Sequence, residues 1–134
     1  MAEPKIGQKT LLMIAGDWLA LGLFVFLGQV DHDVLNLPRL LLQSAILALP
    51  WTAIALLLNA YWLSESTALR AFLGRSLLAW LVAAPLGLML RALILGLAAI
   101  PVAFMVVTMG LGGLFLLGWR AVFFLLRARR ESAP

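Results

Sequence analysis

The chain of 134 residues contains no cysteine and only one histidine, His32. The lack of cysteine excludes disulfide bonds, thiolate metal sites and thiol nucleophiles. The lack of a second histidine excludes a haem held by two histidines. No Ser–His–Asp or paired-carboxylate arrangement can be assembled along the chain, and no glycine loop of the phosphate-binding type occurs. The sequence therefore predicts a protein that is not an enzyme and has no catalytic residues, metal site or resident cofactor.

Charge is also scarce, because charged residues make up 12% of the chain and hydrophobic residues 64%, with a mean hydropathy of +1.07. Soluble domains are about half apolar and about a quarter charged. The excess of apolar residues is typical of an all-α integral membrane protein, whose solvent is lipid. In so apolar a chain, the net charge of +4 indicates contact with anionic lipid headgroups. We expect membrane lipids as partners and no nucleic acid.

Four apolar runs are each long enough to cross a bilayer, which takes about 20 helical residues. We predict one four-helix membrane bundle over the whole chain, 1–134, with spans at residues 10–30, 40–63, 71–91 and 101–124. Residues 92–100 are apolar but too few to span, so we expect a turn or an interfacial segment there. Residues 125–134 should form a basic cytoplasmic tail.

The second span carries aromatic and amide side chains whose positions can be anticipated. We assign Trp51, Tyr61 and Trp62 to the ends of the run, since aromatic rings favour the membrane interface. Gln43 and Asn59 are polar residues that can form hydrogen bonds to neighbouring helices. We therefore expect the aromatic rings at the lipid surface and the amides between helices.

The distribution of basic residues predicts the orientation, since an even number of spans leaves both termini on one side. That side carries eight basic residues, namely Lys5, Lys9, Arg70, Arg75, Arg120, Arg127, Arg129 and Arg130. The opposite side carries two, Arg39 and Arg91. Because basic residues concentrate in cytoplasmic segments, we predict a multi-pass protein of the cell's inner membrane with both termini in the cytoplasm.

Asp17 is an acidic residue inside the first span, about 10 Å from its start by the rise of a helix. A carboxylate at such a depth costs about 3 kcal/mol and should face a partner. Arg75 and Arg120 lie at comparable depth in the third and fourth spans, so an intramembrane ion pair with one of them is the favoured interpretation. The alternative is a coupling carboxylate in a small homo-oligomeric transporter.

Small side chains recur along the third and fourth spans and predict two packing faces. Residues four apart in the third span are Arg75, Ala79, Ala83, Gly87 and Arg91. In the fourth span, Gly110 and Gly113 share a face with Arg120. Small residues let neighbouring helices approach closely within lipid. The alternative is that these faces form a groove for a lipid, a quinone or a pigment tail.

A polar cluster is expected at the outer surface, where two loops meet. Its members are Asp31, His32, Asp33, Arg39 and Arg91. A rim of surface ion pairs is the favoured interpretation, although a weak ligand site is also conceivable.

Several segments resemble a family of small prokaryotic membrane proteins designated domain of unknown function 3054. The resemblance lies in Gly16–Asp17 with the run to Phe26–Leu27–Gly28 and His32, in Pro85 to Arg91, and in Phe104 to Gly118–Trp119–Arg120. It covers most of the chain and implies a four-helix membrane fold without an assigned activity. Members often carry arginine after the glycine of the first helix and serine before the histidine, where this chain has Gln29 and Asp31.

These observations predict a small non-catalytic accessory subunit that packs against a larger membrane complex, such as a photosynthetic or respiratory assembly. The lack of catalytic residues, the small-residue faces and the basic cytoplasmic side favour this function. Two alternatives remain open. One is the transporter that uses Asp17, and the other is a membrane protein that binds a lipid, a quinone or a pigment.

Overall fold

The computed structural model describes residues 7–64 and 66–132, with side-chain environments as far as residue 130. Lys5, which counted toward the predicted orientation, and residues 133–134 of the predicted tail lie outside this part. Within the described ranges every regular element is helical and no strand occurs. The chain is therefore all-α, as the composition predicted.

Within the described ranges, four helices are long and apolar enough to cross a membrane. The helix α1 spans Gln8–Asp31, α2 spans Leu37–Leu57, and α3 spans Leu69–Leu95. The helix α4 starts at Val102, passes through a π-helical turn at Thr108–Gly112 and continues over Gly113–Ser132. Between 22% and 33% of each apolar stretch is buried inside the protein. Most of the leucine-rich surface of every helix therefore faces outward, as suits a multi-pass protein surrounded by lipid.

Two helix ends differ from the sequence prediction because of left-handed residues. The second span was expected to reach residue 63, but α2 ends at Leu57 and Asn59 has a φ of 56°. The third span was expected to end at 91, but α3 continues to Leu95 and stops at Gly96, whose φ is 66°. A left-handed residue ends a helix, and glycine adopts this conformation without a steric penalty. The expected turn is thus confined to residues 96–101.

The predicted tail is not a separate segment, because α4 continues as helix through Ser132. At the other connection, the Asn36 side chain accepts a hydrogen bond from the Arg39 backbone nitrogen, and Pro38 lies in the first turn. An asparagine cap and an early proline both favour the start of a helix. The loop between α1 and α2 is consequently short, and it brings His32 and Arg39 to the same end of the protein.

Most of the predicted small residues lie at helix contacts. Ala79 and Ala83 are buried, and a Cβ atom built on Gly87 would lie 3.3 Å from the Ile46 carbonyl oxygen of α2. On α4, a Cβ atom at Gly113 would lie 2.8 Å from the Trp80 indole nitrogen. These contacts hold α3 against both α2 and α4.

Gly110 does not share this packing face, which corrects the prediction. It is exposed, and a Cβ atom there would meet nothing within 4 Å. The spacing argument assumed a regular α-helix, whereas Thr108–Gly112 form a π-helical turn with more residues per turn. The wider turn rotates Gly110 outward and places Gly112 and Gly113 against Trp80, whose indole donates to the Met109 carbonyl oxygen at 2.9 Å.

Candidate functional sites

Asp17 lies at the centre of the helices with its side chain fully buried. Its carboxylate accepts hydrogen bonds from the Trp51 indole at 2.9 Å and from the Tyr61 hydroxyl at 2.8 Å. Two further bonds come from Arg120, through Nε at 3.2 Å and Nη2 at 2.9 Å. A buried charge is tolerated when it is paired and its remaining lone pairs are satisfied. Four donors on one carboxylate meet that condition.

Arg120 is also fully buried, and it reaches across to α3 and to the turn after α2. Its Nη1 atom donates to the Ala60 carbonyl oxygen at 2.6 Å and to the Ser76 hydroxyl at 2.9 Å. Ser76 in turn donates to the Phe72 carbonyl oxygen at 2.9 Å. One guanidinium therefore connects α4 with α1, with α3 and with the turn after α2.

Aromatic rings enclose this guanidinium. Its central carbon lies 4.6 Å from the ring centre of Tyr61, 4.8 Å from that of Trp51 and 5.4 Å from that of Phe72. A desolvated cation gains about 2 kcal/mol from such contact with a ring face. Tyr61 contributes twice, because its ring faces the guanidinium and its hydroxyl donates to Asp17.

The structure brings Asp17 together with Arg120 and keeps Arg75 apart. Arg75 donates from Nη1 to the Asn59 carbonyl oxygen at 3.1 Å and from Nη2 to the Trp62 carbonyl oxygen at 3.2 Å. It thus satisfies backbone carbonyls beyond the end of α2, a favourable place for a cation. Including Arg75 in the ion pair was wrong for this reason.

Trp51 and Tyr61 also differ from the prediction, because both are buried donors to Asp17 and do not lie at the lipid surface. Trp62 is exposed, as expected of an interfacial ring. Tyr61 was missed as a donor because an aromatic residue near a span end usually marks the interface. Trp51 was grouped with it, although residue 51 lies in the middle of the predicted span 40–63. The available signal was that both residues carry a polar N–H or O–H group and come from the segment of the chain that follows the buried acid of α1.

A second site lies at the opposite end of the helices, where a cavity of about 250 Å³ opens beside the loop between α1 and α2. We call it the outer pocket. Its walls come from all four helices and that loop: Phe24, Val25, Gly28, Gln29, His32, Val34, Arg39, Gln43, Leu47, Leu88, Arg91, Phe104 and Val107. The polar members lie toward the loop, and the deeper members are apolar. Along α1 the pocket extends from His32 to Phe24, about 12 Å by the helical rise.

Arg91 is the principal cation of the outer pocket. It lies four residues before the end of α3, which places it about 6 Å inside the helix end. Its guanidinium carbon lies 4.3 Å from the centre of the Phe104 ring, and its Nε atom is buried without a hydrogen-bond partner among the described residues. Arg39 lines the same pocket, so two positive charges share it.

The predicted outer cluster is only partly brought together. His32, Arg39 and Arg91 line the pocket, whereas Asp31 and Asp33 are exposed and do not line it. Within the described ranges, neither aspartate forms an ion pair with either arginine. The expected rim of ion pairs is therefore absent here, because Asp31 ends α1 and Asp33 adopts a φ of 54° in the loop that follows.

Gln29 and Gln43 complete the polar part of the pocket, and Gln29 was not predicted there. The Gln29 amide nitrogen donates to the Gln43 side-chain oxygen at 3.4 Å, and its oxygen accepts from the Asn36 backbone nitrogen at 3.3 Å. Gln43 therefore bonds across helices as expected, while Asn59 contributes its backbone carbonyl to Arg75.

These features define a multi-pass α-helical membrane protein with a satisfied ion pair at one depth and an unpaired arginine at another. The family model described as "Protein of unknown function (DUF3054)" matches residues 14–123. The chain belongs to this family, which confirms the resemblance drawn from Gly16–Asp17, Pro85–Arg91 and Trp119–Arg120. No curated protein and no solved structure matches the chain.

Proposed function

We propose that the chain is a non-catalytic membrane protein that binds an anionic amphiphile in the outer pocket, with both termini in the cytoplasm. The observation that carries this proposal is the buried, unpartnered Nε of Arg91, in a pocket that also holds Arg39. An ionisable residue inside a membrane span is expected to have a partner, and it marks a functional site. Among the described side chains Arg91 contacts the Phe104 ring, and it has no hydrogen-bond acceptor for Nε and no ion-pair partner.

The form of the outer pocket supports a ligand with a charged head and an apolar body. Arg39 and Arg91 lie with the polar groups toward the loop, while Leu47, Leu88 and Val107 line the deeper wall. An anionic headgroup would neutralise the two arginines, and a hydrocarbon chain would cover the apolar wall. A lipid-type ligand meets both requirements, in keeping with the lipid-binding alternative drawn from the sequence.

The coordination of Asp17 favours a structural role over transport. A coupling carboxylate must exchange a proton or a cation, yet all four donors on Asp17 come from the protein and its partner arginine is fully buried. Releasing the carboxylate would leave Arg120, Trp51 and Tyr61 without their acceptor. We therefore assign the pair to holding the helices together.

Thermal unfolding of the purified protein tests lipid binding. We expect dioleoyl phosphatidylglycerol or phosphatidate to raise the midpoint, because a ligand at about 100 times its Kd stabilises the folded state by about 2.7 kcal/mol. Dioleoyl phosphatidylcholine should have little effect. Tryptophan fluorescence in a mild detergent after delipidation provides the measurement.

Two variants complete this test. Arg91→Gln should lose most of the stabilisation by anionic lipid, whereas Arg70→Gln, which removes an exposed arginine at the other end of α3, should keep it. If phosphatidylcholine stabilises the protein as much as either anionic lipid, or if Arg91→Gln responds like the native chain, the proposal is wrong.

The proposed orientation can be measured directly because the chain has no cysteine of its own. Single cysteines at Val34 or Ala98, which are exposed in the connections after α1 and α3, should react with a membrane-impermeant maleimide in intact cells. Single cysteines at the exposed Ser66 and Ala128 should react only after permeabilisation. The reverse pattern would place both termini outside.

An accessory role is the second proposal, and the outer faces of α3 and α4 support it. Gly74, Gly110 and Gly118 are exposed, and a Cβ atom at any of them would meet nothing within 4 Å. Glycine on a lipid-facing surface permits close approach of another helix. Co-purification with a larger membrane complex in mild detergent tests this role, and a lone species in every preparation would count against it.

A further inference from the structure

The polar groups of the outer pocket offer donors and positive charge, and none of the carboxylates in the described part of the chain lines it. Its charged members are Arg39 and Arg91. Neither forms an ion pair within the described part of the chain. Two like charges that line one pocket repel each other, which costs energy. A ligand that removes this cost fully must bring two negative charges.

The amides of the pocket are arranged to donate as well. The side-chain oxygens of both glutamines already accept hydrogen bonds, Gln29 from Asn36 and Gln43 from Gln29. The Gln43 amide nitrogen has no acceptor among the described residues, so it remains a donor at the pocket. With the two guanidinium groups, the pocket presents three donor groups from α2 and α3. A ligand head that only accepts, with three oxygens, matches this set.

We propose that the outer pocket selects the phosphomonoester headgroup of a membrane lipid, with the phosphate between Arg39, Arg91 and Gln43. This assignment rests on the proposed function and names its ligand class. A phosphomonoester carries up to two negative charges near neutral pH and three terminal oxygens. A phosphodiester or a fatty acid brings one charge and two such oxygens. A zwitterionic headgroup adds an ammonium that both arginines would repel.

The apolar wall argues for a lipid source of the phosphate. Phe24, Leu47 and Leu88 lie deeper than the arginines, toward the middle of the helices. A free phosphate would leave this wall uncovered, whereas the first carbons of a lipid chain would pack against it. The Phe104 ring covers one side of the Arg91 guanidinium, so a ligand in the pocket would contact the guanidinium from the other side. Head and chain would thus both be recognised.

Native mass spectrometry of the delipidated full-length protein tests the assignment. Dioleoyl phosphatidate, dioleoyl phosphatidylglycerol and oleate are each titrated, and inorganic phosphate and glycerol 3-phosphate are added as competitors. We expect phosphatidate to bind at least tenfold more tightly than the other two amphiphiles. Neither soluble phosphate should displace it at equal concentration.

Variants separate the headgroup assignment from lipid binding in general. Arg39→Gln and Arg91→Gln should each reduce the affinity for phosphatidate to that for phosphatidylglycerol, while Arg70→Gln should keep the preference. Arg91→Lys retains the charge but lacks the Nε donor, so it should bind phosphatidate at least threefold more weakly than the native chain.

Equal binding of phosphatidate and phosphatidylglycerol, both lost in Arg91→Gln, would overturn the phosphomonoester assignment and leave the proposed function standing. Displacement by either soluble phosphate would overturn the lipid source. The absence of binding by every anionic lipid would overturn both proposals. Each variant is used only if its unfolding midpoint without lipid matches that of the native chain, and Arg39→Gln, on the exposed residue, serves where Arg91→Gln does not fold.

Discussion

Replacing Asp17 with alanine is expected to destabilise the folded protein by about 3–5 kcal/mol, since removing one member of a buried ion pair leaves the other charge uncompensated. Arg120 would stay fully buried, and Trp51 and Tyr61 would lose their acceptor. Most folded domains are stable by only about 5–15 kcal/mol. The yield of monodisperse protein after detergent extraction and the midpoint of thermal unfolding should both fall sharply.

A double variant provides the control for this prediction. Asp17→Leu combined with Arg120→Met removes both charges, and it should recover part of the stability that either single change loses, because an apolar pair carries no buried charge. Recovery would assign the loss to the unpaired charge. A single Asp17→Ala variant as stable as the native protein would contradict the structural role of the pair.

Gly16→Ala is expected to cost about 1–3 kcal/mol, the usual range for overpacking, although Gly16 and Trp119 are only half-buried. A Cβ atom at Gly16 would lie 1.9 Å from Cζ2 of the Trp119 ring, so α1 and α4 would have to separate or the indole would have to move. Gly16 precedes Asp17, and Trp119 precedes Arg120. The same displacement would therefore lengthen the ion pair. A lower unfolding midpoint together with a shifted tryptophan emission spectrum would report it.

Gly118→Ala is the matched control, because it makes the same substitution on the helix that carries Trp119. A Cβ atom at Gly118 would meet nothing within 4 Å. Alanine favours helix over glycine by about 1 kcal/mol, so this variant should be as stable as the native protein or slightly more stable. Equal loss in both variants would show that the contact with Trp119 does not set the distance between α1 and α4.

The four helices could be predicted from the sequence because each apolar run is long enough to cross a bilayer and few charges interrupt it. The ends were harder to place. Left-handed conformations at Asn59 and Gly96 decide where α2 and α3 stop, and hydropathy carries no information about backbone dihedral angles. The π-helical turn at Thr108–Gly112 was likewise invisible in a run of apolar residues.

The choice of partner for Asp17 could not be made from the sequence. Arg75 and Arg120 lie at similar depth, and depth was all that the spacing supplied. What separates them is the rotation of each helix about its own axis. In a soluble protein, the polar face of a helix shows which side is turned toward water. Lipid and the protein interior are both apolar, so the residues of these helices do not show which side faces lipid and which faces protein. The same ambiguity applies to Trp51 inside α2, whereas Tyr61 was assigned to the interface because it lies near a predicted span end.

The outer pocket was anticipated in part, since Arg39, His32 and Arg91 were placed at one end of the protein from the connections alone. The expected ion pairs of Asp31 and Asp33 with the two arginines do not form among the described residues. Side chains on a short loop are directed by its local turns, and Asp33 has a positive φ of 54°. The depth of Arg91 beside Phe104, which leaves its Nε atom buried and unpaired, depends on the approach of α3 to α4.

The ion pair joins residues that are 103 positions apart in the chain, and this separation has a consequence for biosynthesis. At about 5–20 residues per second, Arg120 leaves the ribosome about 5–20 s after Asp17. Trp51 and Tyr61 emerge much earlier, so both donors can bind the Asp17 carboxylate before Arg120 has been synthesised. A nascent chain that stops before the fourth helix would carry an uncompensated acid in the bilayer, and membrane quality control could distinguish it from the finished protein.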